Sequence, residues 1–136
     1  VEIFSFDSQD KWFDLFIEQQ IAHLIRMQIG EKQKLSLQNA VDEFVRQSDQ
    51  WQEQHRQQPW SIYIEPRVVL QQDELTITQI KTEYGLGDRH IPQQVYYSVV
   101  DRKQQQHLKL YDIIKASNID ILNLHILFYQ EFLLYQ

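Results

Sequence analysis

The chain contains no cysteine. That absence excludes disulfides, thiolate nucleophiles and cysteine-bearing zinc sites together. It leaves the compartment open, because exported proteins also do without cysteine. Basic residues are in the minority, 13 Lys and Arg against 19 Asp and Glu, for a formal net charge of −6 and a pI near 5.3. Non-specific nucleic-acid binding needs a basic face, so no nucleic-acid partner is expected, and a basic partner is favoured instead. Long apolar runs are missing as well: none approaches the roughly 18 residues of a membrane-spanning helix. No signal-peptide pattern is visible, and the chain begins at Val1 rather than Met. The expected form is a trimmed or mature one, with any export signal or lipid anchor lost upstream. HExxH, GxSxG and phosphate-loop motifs are also absent.

What is present points to one folded domain over residues 1–136. A chain of that length buries roughly two thirds of its unfolded surface, enough for a core without covalent staples. The 43% hydrophobic and 12% aromatic content agree with this. Glutamines cluster in QQ pairs and in QQQ at 104–106. They are interleaved with charges and ordered apolar patterns, which marks a neutral soluble surface rather than a prion-like tract.

The hydrophobic period changes along the chain. VEIFSF reads as a short strand, and Asp7 and Ser8 as caps of a helix over 8–29 that Gly30 ends. Phe13, Phe16, Ile17, Ile21, Leu24 and Ile25 fall at helical spacing within it. Ser36 is placed to cap a second helix carrying Leu37, Val41, Phe44, Val45 and Trp51. After Pro59 the period becomes two. Trp60, Ile62 and Ile64 alternate with Ser61, Tyr63 and Glu65, and Pro66 marks an edge, a bulge or a bend. QQDE is a turn, ELTITQIKTEY (74–84) a second strand with Leu75, Ile77 and Ile80 inward, QVYYSVVD a third, and HLKL a short fourth. A helical turn at 111–115 and a last helix capped by Ser117 or Asn118 close the chain. That helix is apolar nearly all round, so it is expected to be buried against more than one surface. Helices grouped around consecutive strands predict an α+β fold, an antiparallel sheet of three to five strands packed against two to four helices.

Two of the chain's three glycines stand in EYGLGDRH, residues 83–90, between the second and third strands. A reversal between Tyr84 and Ile91 needs residues tolerant of positive φ or a bulge, and Gly85 and Gly87 supply them. The alternative is that the loop bares backbone to a ligand or partner. With the later KQQQHLKLYDII, in which Leu108, Leu110, Asp112, Ile113 and Ile114 take the place of a D…GK…L.L.DLF pattern, this segment resembles the extracytoplasmic domain shared by RsiV-type anti-sigma factors and PdaC-type peptidoglycan deacetylases. The likeness spans about residues 1–135. The turn departs from that family's GGAH: Leu86 splits the glycines, and Asp88-Arg89 replaces the small residue. The family continues into a further strand, so either the sheet is one element short or the chain is a piece of a longer one.

The resemblance implies an extracytoplasmic domain, in the periplasm or on the cell surface. It would recognise a lysozyme-type muramidase or a peptidoglycan fragment, or serve as a cell-wall accessory module. A peptidoglycan deacetylase or hydrolase is the enzymatic alternative. Asp88, Arg89, His90 and Asp101 could imitate an acid–base set, but in PdaC-type proteins deacetylation belongs to a separate domain whose metal motifs are missing here. The five histidines, His23, His55, His90, His107 and His125, show no zinc-ligand spacing. Binding without catalysis, metal or cofactor is therefore expected. Tyr96 and Tyr97 are adjacent in a strand, so one must face outward, and with Tyr63 it could seed a binding face. The expected binding set is Tyr84, Gly85, Gly87, Asp88, Arg89, His90, Tyr96 and Tyr97.

Overall fold

The computed structural model describes residues 1–55 and 58–108. After the two-residue strand β1 (Glu2–Ile3), the first helix, α1, runs Lys11–Ile29, starting later than Asp7 or Ser8 would set it. Asp10 is the N-cap, and its carboxylate accepts from the Phe13 N–H at 3.1 Å. Ser8 serves differently: its N–H and hydroxyl donate to the Asp14 carboxylate at 3.0 and 2.6 Å. An acid in the first turn thus ties down the chain in front of it and meets the positive end of the helix dipole. Gly30 is the C-cap, as its position predicts.

The second helix, α2 (Leu37–His55), starts as expected: the Ser36 hydroxyl accepts from the Asn39 N–H at 3.2 Å. Its buried residues, Ala40, Phe44 and Ser48, form a narrow stripe at four-residue spacing. Val45 lies one position round from Phe44 and is 40% exposed, not inward. Gln47 Nε2 donates to Ile29 O at 3.3 Å and to Glu43 at 3.2 Å, joining α2 to the end of α1.

Glu43 also accepts from Arg46 Nε at 2.9 Å, and these bonds, the Arg46 one first, lower its pKa from 4.5 to about 2. A folded pKa below the unfolded value means the pair favours folding above about 4.5, and that contribution fades as pH falls toward 2. The pair is solvent-exposed, so the effect on stability is small. NMR titration should find Glu43 still ionised near pH 3, and Arg46→Gln should return its midpoint toward the ordinary carboxylate range. A normal midpoint in the parent chain would show that the pair does not form.

Four further strands follow: β2 (Ser61–Gln72), β3 (Leu75–Leu86), β4 (Arg89–Asp101) and β5 (Gln106–Leu108). They and β1 make a five-stranded sheet in chain order. Tight turns at 73–74 and 87–88 join β2 to β3 and β3 to β4, and β5 pairs antiparallel with β4, Val100 opposite His107. The expected antiparallel meander is therefore present. The departure is β1, which lies parallel to β2, Glu2 opposite Tyr63 and Ile3 opposite Ile64, so the sheet is mixed. A parallel neighbour needs a long crossover, and here the chain between them holds α1 and α2. Pro66, which lacks an N–H to donate, comes just after the Ile64 carbonyl that accepts from the Phe4 N–H.

The chain groups into two compact units, and β2, β3 and β4 supply residues to both. The first unit takes residues 1–66 and 80–94. Its core combines Phe13, Ile17, Ile21 and Ile25 of α1 with Phe44 of α2 and Ile64 and Tyr84 of the sheet, each at most 1% exposed. The second unit takes 67–79 and the described part of 95–136. Its core is Leu75, Ile77 and Val99, with Val69, Leu70, Tyr97 and Leu108 packed on them. Residues 75–79 of β3 are all buried, so this stretch is covered on both faces. The helical turn and last helix expected after residue 110, and the question of a final strand, lie outside the described residues.

Candidate functional site

The glycine segment is shorter as a loop than its composition implies. β3 continues through Gly85 to Leu86, and β4 begins at Arg89, leaving only Gly87-Asp88 as the turn. Of the segment's two glycines, Gly87 alone has a positive φ, 72°. A Cβ there would stand 2.4 Å from the Trp51 ring. Trp51 is in turn stacked on His55 at 3.7 Å between centroids, with Trp60 at 6.3 Å and Phe44 behind Trp60 at 5.8 Å. The hairpin tip thus rests on an aromatic cluster of α2 and of Trp60, the residue just before β2. Gly85 has a different reason: a Cβ there would meet the Ser61 hydroxyl at 2.6 Å. One glycine makes the turn, and the other lets two strands come together.

Alternation then sorts this end of β3. Thr82, Tyr84 and Leu86 point inward, at 0%, 1% and 6% exposure, while Glu83 on the opposite face is open. His90 Nε2 donates to Glu83 Oε1 at 3.2 Å, with side chains 66% and 49% exposed. Beside this pair lies a cleft of about 210 Å³ lined by Glu2, Ser61, Tyr63, Glu83, Tyr84 and His90, with Val1 and Ile62. Phe4 meets the Tyr63 ring edge-on at 5.7 Å. The Tyr63 hydroxyl donates to Glu65, and that bond to a carboxylate raises the phenol's pKa. The cleft is therefore acidic and aromatic, open to water, and lined by residues of the four strands β1 to β4 together with Val1.

Of the expected binding residues, the structure brings Tyr84 and His90 to the cleft. Gly85 adjoins Ser61, a lining residue, while Gly87, Asp88 and Arg89 form the exposed hairpin tip without lining the cleft. Tyr96 and Tyr97 belong to the second unit. There the Tyr97 ring packs on the Leu75–Ile77–Val99 core and its hydroxyl accepts from Gln79 Nε2 at 3.0 Å; Tyr96 is half-buried. Glu2, Ser61 and Glu83 were not among the expected residues. Glu83 carried a signal: it shares a strand face with Gly85, two positions away. No group of three or more His, Asp or Glu side chains suited to a metal occurs among the described residues.

Fold and cleft define a class, an α+β domain of a mixed five-stranded sheet and two helices among the described residues, with an open acidic cleft at one end of the sheet. No protein-family model matches the chain, and no curated protein does. Among solved structures, a DUF3298 family protein from Pseudomonas aeruginosa PAO1 is similar, with a TM-score of 0.56 and 23% identity. The match covers 80% of this chain and 44% of that one, so this chain spans less than half of its neighbour's length. At that identity the likeness is one of fold.

Proposed function

We propose that this domain binds a basic partner at the cell envelope through the outward face around the Glu83–His90 cleft, and does not turn over a substrate there. Exposure carries the reading: about half of the Glu83 side chain and two thirds of the His90 side chain are open to solvent, and Asp88 sits on the hairpin tip outside the cleft. Acid–base catalysis relies on groups held in a water-excluded site, where their charges act strongly. An open face with a rigid strand platform suits partner contact better. The envelope setting rests on the resemblance of EYGLGDRH and its flanks. The fold likeness supports that resemblance, because DUF3298 is the domain found in RsiV- and PdaC-type proteins.

The partner implied by that resemblance is a lysozyme-type muramidase. The chain's −6 charge would steer a strongly basic protein toward it. Calorimetry is expected to give micromolar or tighter binding to lysozyme. Salt should reduce it without abolishing it, as the Debye length falls from ~10 Å at 0.1 M to ~3 Å at 1 M. Glu83→Gln, His90→Ala and changes across 86–91 should weaken it. If an unrelated protein of equal basicity binds equally well and both are lost at moderate salt, the attraction is only electrostatic and the receptor reading is wrong. Turnover of peptidoglycan or acetylated sugars by the parent chain, abolished by His90→Ala, would overturn the binding reading altogether.

A further inference from the structure

A second hollow, independent of the cleft, has the opposite charge. It measures about 350 Å³ and is lined by Gln19, Gln20, His23 and Arg26 of α1 and by Lys34 and Leu35 of the loop to α2. On α1, Gln19, His23 and Arg26 recur at helical spacing and share one side. A neighbouring hollow shares Gln19, Lys34 and Leu35 and extends to Ser36 and Leu37 at the start of α2. We infer that this groove is a binding site for an oxyanion, a carboxylate or phosphate group, held by Arg26, Lys34 and the imidazole of His23.

Three features separate it from a solvated basic surface. The first is the lack of counter-charge: among the described residues neither Lys34 nor His23 has an ion-pair partner, in a chain whose acids outnumber its bases 19 to 13. Glu18, in the neighbouring hollow, is the carboxylate among the groove's lining residues. The second is preorganisation. Arg26 Nη2 donates to Lys32 O at 3.0 Å, and the Glu31 N–H donates to Arg26 O at 3.1 Å. The residue that supplies the guanidinium therefore also fixes the loop that carries Lys34, so little ordering remains for a ligand to impose. The third is unfilled capacity: among the described residues the Arg26 guanidinium has Lys32 O as its one acceptor, and although its Nε is buried away from a ligand, its remaining terminal N–H groups are donors suited to an anion's oxygens. The end of α2 adds to these. Its first turn carries no acidic residue, so the positive end of its dipole is left uncompensated beside Lys34.

The test is a titration of the full 136-residue chain, followed by amide NMR at pH 7 and constant ionic strength, with sodium phosphate in one arm and sodium succinate in the other. Amides of residues 19–26 and 32–38 should shift along a saturable curve with a millimolar or tighter midpoint. Lys34→Gln is a surface change that leaves the fold intact, and it should weaken binding about tenfold, the loss of one charge-assisted hydrogen bond. Arg26→Gln should weaken it at least as much, and Lys11→Gln should leave it unchanged. Saturation by one probe alone names the ligand chemistry; saturation by both assigns a general oxyanion site. No saturable shift with either probe up to roughly 20 mM, a concentration that would fill a millimolar site, overturns the inference. So does an equal loss in Lys11→Gln, which would mean diffuse attraction only.

Discussion

Gly87→Ala is expected to destabilise the domain by about 2–4 kcal/mol, a large effect for a single methyl group on an exposed turn. Two costs add. The backbone at Gly87 has φ 72°, where a Cβ crowds the following carbonyl at about 1 kcal/mol or more. The new methyl would also stand 2.4 Å from Trp51 Cε2 and Cζ2 and 2.7 Å from Nε1, so the indole must move. That ring is held by its stack on His55 and by Trp60, and displacing a packed side chain costs about 1–3 kcal/mol. Gly85→Ala is a milder change, because its new methyl meets the end of the Ser61 side chain, which can rotate away. Urea denaturation of Gly87→Ala in the parent and in a Trp51→Leu background separates the terms. The steric part should disappear in the double variant and the backbone part should remain. A loss below about 1 kcal/mol in the parent would mean that the turn does not rest on the indole.

The same segment shows how far the sequence carries. Its glycines mark a reversal, and their spacing locates the hairpin to within a few residues. It does not say which glycine turns, because that depends on what each would touch: Trp51 lies far back in the chain, on α2, and Ser61 on a neighbouring strand. Placing the turn too broadly hid the start of β4. Residues 89–94 include Arg, His, Pro and two Gln and lack an apolar alternation, since most of them face solvent. It also hid the Glu83–His90 pair. With the turn at 87–88, a two-residue hairpin sets Gly85 opposite His90 and makes Glu83 a diagonal neighbour on the same face. Local signals were dependable where one residue decides the outcome, as at Ser36, at Gly30 and at the QQDE turn, where Asp73 takes a φ of 55°. They were weaker where several residues compete, as in DSQD before α1. The parallel seat of β1 depends on a partner some 60 positions away and leaves no local trace.

Tyr84 and His90 both line the cleft, but they are expected to behave in opposite ways when truncated. The Tyr84 ring is on the inner face of β3 at 1% exposure, between Thr82 and Leu86, which are equally enclosed. Removing a buried aromatic ring takes away its transfer energy and leaves a cavity, so Tyr84→Ala should cost about 3–5 kcal/mol. For a domain of ordinary stability that is a large share of the total, and part of the variant would be unfolded at 37 °C. His90 is 66% exposed, and its partner Glu83 is 49% exposed. An ion pair so open to solvent is worth little, and His90→Ala should stay within about 0.5 kcal/mol of the parent. The pair of variants therefore separates scaffold from surface. Any partner binding lost in Tyr84→Ala should return when corrected for the folded fraction, whereas loss in His90→Ala should persist in a fully folded chain. Urea denaturation with far-UV circular dichroism gives the stabilities, and calorimetry against lysozyme gives the binding. A Tyr84→Ala cost below about 1 kcal/mol would show that the ring is not part of the core. A His90→Ala cost above about 2 kcal/mol would show that the Glu83–His90 pair holds the hairpin together and is no free contact surface.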